Sequence, residues 1–215
     1  MIHAANRRRN AAMTLVELLV VVAVTSVLLA LLLTSLRPAR QKRTRIGCVN
    51  NLKQIGVAFR LFATDHGNLF PMRGWTNRDG SLLVPENGAA AYFLTMTNEL
   101  SSPKVLACPA DTRKPARSFA ALKNENISYF LGLDADETRP QMILAGDRNL
   151  SLNGKPVKSG LLSVTTNDVL GVTAELHAFA PNVVLSDGSV QQFNSGRFRA
   201  QLLPSGAATN RFLVP

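Results

Sequence analysis

Histidine and cysteine are scarce in this chain, which has three histidines and two cysteines among 215 residues. They do not form the closely spaced clusters typical of zinc sites, so the spacing predicts no resident metal. The G-x-S-x-G nucleophile elbow and the glycine-rich phosphate loop are also missing from the sequence. No serine lies in a recognisable nucleophile motif. The sequence therefore predicts that the protein is not an enzyme and needs no cofactor.

Acidic residues are almost missing from the first 60 positions, where Glu17 is the one acid against ten lysines and arginines. The remaining positions carry fourteen basic and thirteen acidic residues, so their net charge is +1. The basic cluster is explained by attraction to anionic lipid headgroups, which contributes about 1 kcal/mol per basic residue near the surface. The nearly neutral remainder argues against nucleic acid as a partner.

One long apolar run extends from Ala12 to Leu33, with Glu17 as its single charged residue. The run is long enough to cross a bilayer. Arginines at positions 7–9 would suit a secretory signal peptide, but no A-x-A cleavage site follows the run. A plain membrane anchor is the other simple interpretation, and it leaves Glu17 unexplained, since an acid in a membrane segment is usually retained for a function.

Residues 13–17, Met-Thr-Leu-Val-Glu, resemble the amino-terminal segment of type IV prepilins and type II secretion pseudopilins. The resemblance implies that prepilin peptidase cuts between Ala12 and Met13 and methylates the new amine. It also implies that Glu17 pairs with the Met13 amine of an adjacent subunit during filament assembly. Ala12 departs from the glycine that the family usually has before the cut, so slower or absent processing is an open alternative.

Helical periodicity continues beyond the apolar run. Five apolar residues recur at spacings of three and four and share one face of a helix: Cys48, Leu52, Ile55, Phe59 and Phe62. The pattern predicts a helix from about Thr14 to about Thr64, kinked at Pro38 and capped by Gly67 or Asn68. The predicted division is a leader (1–12), a transmembrane helix (13–36), an amphipathic stalk helix (37–66) and an exported globular head (67–215).

The head is predicted to hold a surface loop over 74–88, a short helix over 89–100 and several short strands. Leu94, Met96 and Leu100 are expected to be buried. The predicted strands are 127–133, 141–145, 161–164, 169–173, 183–185 and 190–193, and residues 146–149 are expected to form a turn. An antiparallel sheet that covers the helix stripe gives an α+β fold, with a long amino-terminal helix on a small sheet as in pilins.

Three further elements extend the resemblance to pseudopilin-like proteins: a cysteine before the run NNLKQIG at 50–56, the run CPAD at 108–111, and an H-x9-DG element. Similar proteins often carry a cysteine in each of the two contexts that Cys48 and Cys108 occupy here. One bridge between them suits an exported domain and would stabilise it by roughly 4 kcal/mol. Two separate buried thiols are the alternative.

The H-x9-DG element consists of His177, Asp187 and Gly188. Turn chemistry explains Asp187 and Gly188, which lie in a predicted hairpin turn. The resemblance does not establish what His177 does, and a bond to a neighbouring loop is the simplest expectation.

Asp134, Asp136 and Glu137 place three carboxylates in four residues. Some major pseudopilins bind calcium in a loop, which makes these residues calcium candidates. The run lacks the spacing and the glycine of an EF-hand, so a solvated acidic turn explains it better.

The resemblance implies a structural subunit of a type II secretion or type IV pilus-like filament. Its partners would be prepilin peptidase, other subunits through the amino-terminal helix, membrane lipid and, indirectly, an assembly ATPase. It implies a single-pass protein of the bacterial inner membrane with a cytoplasmic amino terminus and a periplasmic or exported head. The positive-inside rule favours the opposite orientation, because three arginines precede the span and five basic residues follow it.

Two other functions remain open at this point. One is a minor pilin for DNA uptake, for which Arg197, Arg199 and Arg211 offer a small basic patch. The other is a membrane-anchored binding protein that does not polymerise.

Overall fold

A computed structural model describes residues 13–74, 83–165, 167–202 and 209–215. The chain divides into two compact units, Met1–Lys42 and Arg43–Pro215. The predicted leader 1–12, and with it Ala12, lies outside the described residues.

Helix α1 (Leu15–Asp65) begins with a reciprocal cap that the sequence analysis did not anticipate. The Thr14 backbone N–H donates to Glu17 Oε2 at 2.8 Å, and the Glu17 N–H donates to Thr14 Oγ1 at 3.2 Å. Such a capping box satisfies two backbone donors at the start of a helix. Glu17 therefore has a structural role within its own chain.

The first part of α1 could cross a membrane by its length and composition. Residues Leu15–Leu32 have a mean hydropathy of 2.8 over 18 residues, and none of them is buried. The helix continues through Pro38, but the side chains of 33–41 lie outside the described ones, so the predicted kink stays a prediction.

Helix α1 ends as the sequence predicts. Gly67 and Asn68 adopt left-handed φ angles of 65° and 62°. The Asn68 N–H donates to the Ala63 carbonyl at 2.7 Å, which satisfies one of the free carbonyls at the end of the helix.

The second part of α1 packs against the sheet through the predicted stripe. Cys48, Leu52, Ile55 and Phe59 are fully buried, whereas Phe62 is only partly buried. The opposite face is exposed at Asn50, Lys53, Arg60 and Thr64. The helical period of the sequence thus identified the packed face correctly.

Two short helices replace the single one predicted over 89–100, namely α2 (Ala89–Leu94) and α3 (Thr97–Leu100). Met96 and Leu100 are buried as expected. The expectation for Leu94 is wrong, because α2 ends there and its side chain is 36% exposed. Residues 83–88 of the predicted loop contain no helix or strand, and 75–82 lie outside the described part.

The strands form two antiparallel sheets among the described residues. The larger has the order β5-β9-β1-β2-β7-β8 and the smaller β4-β3-β6. The strands are β1 (Tyr129–Gly132), β2 (Ile143–Asp147), β3 (Leu150–Leu152), β4 (Lys155–Pro156), β5 (Gly160–Thr165), β6 (Leu170–Val172), β7 (Asn182–Leu185), β8 (Val190–Gln192) and β9 (Thr209–Val214). This arrangement confirms the α+β prediction.

Several elements were not predicted. Strands β3, β4 and β9 and helix α4 (Ser195–Leu202) have no counterpart in the sequence analysis. The turn expected at 146–149 is partly wrong, because β2 continues through Asp147.

The larger sheet separates two apolar cores. Leu131 and Leu144 face the core shared with α1 and α2, whereas Phe130 and Phe212 face a second core with β6 and α4. Alternate residues of β1 point to opposite sides, as strand geometry requires. The sequence analysis expected only the first of these cores.

Helix α1 lies close to the β7–β8 hairpin at Gly56. A Cβ atom there would lie 2.8 Å from Val184 Cγ2 and 3.2 Å from the Gly188 Cα. Gly188 itself has a φ of 82°, and the Ser189 N–H donates to Asp187 Oδ1 at 2.8 Å. The run NNLKQIG and the DG turn therefore meet in the folded protein, although about 130 residues separate them along the chain.

Candidate functional site

Four buried side chains with metal-ligand chemistry converge at one point in the head. Cys48 lies on α1, Cys108 follows the 3-10 helix Pro103–Leu106, Asp147 ends β2, and His177 begins the turn His177–Phe179. One donor atom from each residue lies within 4.8 Å of the other three. Each of the four side chains is 2% exposed or less. We call this group the buried cluster.

Cys48 and Cys108 form a disulfide in the structure, with their Cα atoms 5.0 Å apart. The bridge agrees with the pairing expected from the sequence. It attaches the loop at Cys108 to α1, and Asn51 Nδ2 strengthens the attachment by donating to the Ala107 carbonyl at 2.9 Å.

The turn that carries His177 has an unusual backbone. His177, Ala178 and Phe179 have φ angles of 55°, 49° and 63°. Left-handed conformations cost non-glycine residues on the order of 1 kcal/mol each and persist only where surrounding contacts hold them. Here Arg45 Nη2 donates to the His177 carbonyl at 2.6 Å, and Asn149 Nδ2 donates to the Leu176 carbonyl at 3.2 Å.

A single nitrogen of His177 faces the other members of the buried cluster. Nε2 lies 3.4 Å from Cys108 Sγ and 3.7 Å from Asp147 Oδ2. In a catalytic relay, the nucleophile and the orienting carboxylate contact opposite ring nitrogens. Because both contacts here use Nε2, the geometry resembles a set of converging ligands more than a nucleophile with its base.

Asp147 is the member of the buried cluster that the sequence analysis missed. Its Oδ2 accepts from the Asn182 backbone N–H at 2.7 Å and from Asn182 Nδ2 at 3.1 Å. Its Oδ1 is buried and has no hydrogen-bond partner among the described residues. Burial raises the pKa of Asp147 to about 7, although the bonds from Asn182 act in the opposite direction.

His177 is uncharged at neutral pH. Burial, together with the nearby guanidinium of Arg45, lowers its pKa to about 4. The contact between His177 and Asp147 is therefore not an ion pair at pH 7.

Asp147→Asn and His177→Gln are expected to change the pH dependence of stability in opposite directions. The pKa of Asp147 rises on folding from 3.8 to about 7. The contribution of Asp147 to stability is therefore full below pH 4 and is lost as the pH rises towards 7. The pKa of His177 falls on folding from 6.5, so its contribution is full above that pH and is lost towards pH 4. In the native chain the two trends oppose each other.

The melting temperature of Asp147→Asn should therefore rise from pH 4 to 6.5, and that of His177→Gln should fall from pH 4 to 7. Near-ultraviolet circular dichroism of the oxidised chain in detergent measures both. His66→Gln changes an exposed histidine at the end of α1 and serves as the control. If the melting temperatures of all variants and of the native chain change with pH in parallel, the two trends do not come from Asp147 and His177.

A second buried group lies beside the disulfide. Arg148 donates from Nε and Nη2 to the two oxygens of Asp111 at 2.8 Å and 2.9 Å, and it also bonds Glu175. The Asp111 side chain is fully buried. Burial alone would raise the pKa of Asp111, but the bonds from Arg148 lower it to about 2.

The calcium candidates contact arginines of the same chain. Asp134 accepts from Arg211 Nε at 3.0 Å, and Asp136 pairs with Arg73 at 2.9 Å. These bonds direct two of the three carboxylates to different partners, whereas Glu137 Oε2 is buried without a hydrogen-bond partner among the described residues. The calcium site stays a prediction.

Two of the three arginines suggested for DNA contact are engaged within the chain. Arg211 pairs with Asp134, and Arg197 lies over the Phe193 ring, 5.3 Å from its centroid. The side chain of Arg199 lies outside the described ones.

Comparison with known proteins identifies the amino-terminal segment. Residues 7–33 match the sequence profile of the prokaryotic N-terminal methylation motif. The match supports a type IV pilin-like or pseudopilin protein that is processed by prepilin peptidase and assembles with other pilin subunits. It implies a structural subunit rather than an enzyme, and with the apolar helix it is consistent with an inner-membrane anchor. No curated protein and no solved structure matches the chain.

Proposed function

We propose that the protein is a pseudopilin-like structural subunit of a type II secretion or type IV pilus-like filament. Prepilin peptidase removes residues 1–12, and the amino-terminal helix holds the subunit in the inner membrane until it joins the filament. The head is exported, and the filament grows through the work of a separate ATPase.

The observation that carries this proposal is the start of α1. A methylation motif over 7–33 overlaps the apolar stretch 15–32 of α1, whose one acid, Glu17, lies in the first turn of the helix. The side chains of residues 15–32 are exposed in the single chain. The head has its own cores, so this apolar surface is available to lipid and to the helices of neighbouring subunits.

The orientation follows from the processing step. Prepilin peptidase acts on leaders that face the cytoplasm, which places the carboxy-terminal head on the opposite side of the membrane. The disulfide supports an exported head, because such bridges persist in oxidising compartments.

Mass spectrometry of the amino terminus tests the proposal. The chain is purified from a bacterial host with prepilin peptidase and from the same host without it. We expect the first to begin at N-methylated Met13 and the second to retain residues 1–12. Ala12→Gly should be processed at least as completely as the native chain. A native chain and an Ala12→Gly chain that both keep the leader in the peptidase-containing host would overturn the proposal.

A further inference from the structure

We infer that Cys48, Cys108, Asp147 and His177 form a four-ligand site for a zinc-class divalent cation when the two cysteines are in the dithiol state. Formation of the disulfide empties the site. The inference concerns the head alone and does not depend on filament assembly.

The distances in the buried cluster suit tetrahedral coordination. Zinc lies about 2.3 Å from thiolate sulfur and about 2.0 Å from imidazole nitrogen or carboxylate oxygen, which separates neighbouring donors by about 3.3–3.8 Å. His177 Nε2 lies 3.4 Å from Cys108 Sγ and 3.7 Å from Asp147 Oδ2. Reduction needs to move the two sulfurs apart by a rotation of their side chains, while the histidine and the aspartate already have suitable positions.

The chemistry of the four residues also suits a cation of this class. Two thiolates and one imidazole are preferred zinc ligands, and a carboxylate completes many zinc sites. His177 directs Nε2 towards Cys108 and Asp147, and an imidazole Nε2 is among the commonest metal ligands in proteins.

Asp147 supplies an independent indication of a missing partner. Its Oδ1 is buried without a hydrogen-bond partner among the described residues, and such atoms are uncommon in folded proteins. The oxygen that faces His177 is Oδ2, so a cation bound there would compensate the charge of this buried carboxylate. Two thiolates, one carboxylate and one divalent cation have a net charge of −1. The guanidinium of Arg45 lies close enough to interact electrostatically with both Asp147 and His177.

The two states of the cluster exclude each other. A disulfide-bearing oxidant takes two electrons from the two bound thiolates, so that the Cys48–Cys108 bond forms, the bond of the oxidant breaks into two thiolates, and the cation leaves. The nascent chain carries thiols, so the cation would bind before oxidation. A bound cation would then hold α1 against the loop at Cys108 until the disulfide replaces it.

Metal titration of the full chain in detergent tests the inference. A water-soluble phosphine reduces the disulfide to two thiols and becomes the phosphine oxide by taking oxygen from water. Co²⁺ is then added without air, followed by Zn²⁺. We expect one Co²⁺ per reduced chain, with the intense visible bands of tetrahedral thiolate coordination, and displacement by Zn²⁺. The oxidised chain should show no such bands.

Matched variants identify the ligands in the same titration. His177→Gln and Asp147→Asn should each weaken binding to the reduced chain at least about tenfold, because even the loss of a residue that only orients a metal ligand has an effect of that size. His66→Gln should bind as the native chain does. The comparison of reduced and oxidised native chains needs no variant, so it remains decisive if a variant misfolds. A reduced native chain that gives no thiolate bands with Co²⁺, or folded variants at both ligands that bind as tightly as the native chain, would overturn the inference.

Discussion

Glu17→Gln is expected to abolish filament assembly and to leave the start of α1 and membrane insertion intact. Glutamine can still accept from the Thr14 N–H, so the capping box persists. The negative charge is lost, and the methylated amine of the adjacent subunit then has no counter-charge in an apolar environment. An uncompensated charge among apolar helices opposes assembly, so we expect the yield of filaments to fall by more than about a hundredfold.

Sheared filaments collected by sedimentation measure this effect, and the membrane fraction of the same cells measures insertion. Thr14→Val is the matched control, because it removes the hydroxyl of the cap and keeps the charge of Glu17. It should assemble with a modest loss. A normal yield of filaments from Glu17→Gln would assign Glu17 to the cap alone and would remove its role in assembly.

The second large effect is expected for Arg148→Met, which should lower the free energy of unfolding of the oxidised head by about 3–5 kcal/mol. Asp111 is fully buried and takes two bonds from Arg148. Methionine fills much of the same volume but leaves the carboxylate without its counter-charge. Chemical denaturation of the full chain in detergent, followed by near-ultraviolet circular dichroism, measures the change.

Two further variants separate charge from geometry at this site. Arg148→Lys keeps the charge but cannot make the paired bonds. It should therefore lower the free energy of unfolding, but by less than Arg148→Met does. Combining Asp111→Asn with Arg148→Met should recover part of the lost free energy of unfolding.

The pKa of Asp111 is held near 2 in the folded chain. The contribution of Asp111 to stability is therefore full above pH 4 and is lost as the pH falls towards 2. If Arg148→Met lowers the free energy of unfolding by less than about 1 kcal/mol, the ion pair between Arg148 and Asp111 behaves as an exposed pair.

Local patterns in the sequence were sufficient for the main helix and for the hairpin that faces it. The spacing of Cys48, Leu52, Ile55 and Phe59 identified the buried face of α1, because a helix has a fixed period. Asp187 and Gly188 identified the β7–β8 turn, because few residue types tolerate that backbone. The amino-terminal motif likewise consists of adjacent residues and is recognisable without a fold.

Strand β9 illustrates what the sequence could not show. It pairs with β5 along six residues and with β1, although those strands precede it by many positions. A short mixed segment such as Thr209–Val214 has little periodicity of its own, and only its partners make it a strand.

For the site, Asp147 likewise illustrates what the sequence could not show. Its neighbours suggest a surface turn, yet Asp147 is fully buried and contacts Asn182 from β7 and His177 from the turn before β7. By itself the sequence determined an apolar helix long enough to cross a membrane, the buried stripe of α1, the hairpin and the amino-terminal methylation motif, because residue type and spacing over a few turns decide each of these. Only the tertiary structure decided that two cysteines, an aspartate and a histidine share one buried point, because that convergence depends on contacts between four elements far apart in the chain.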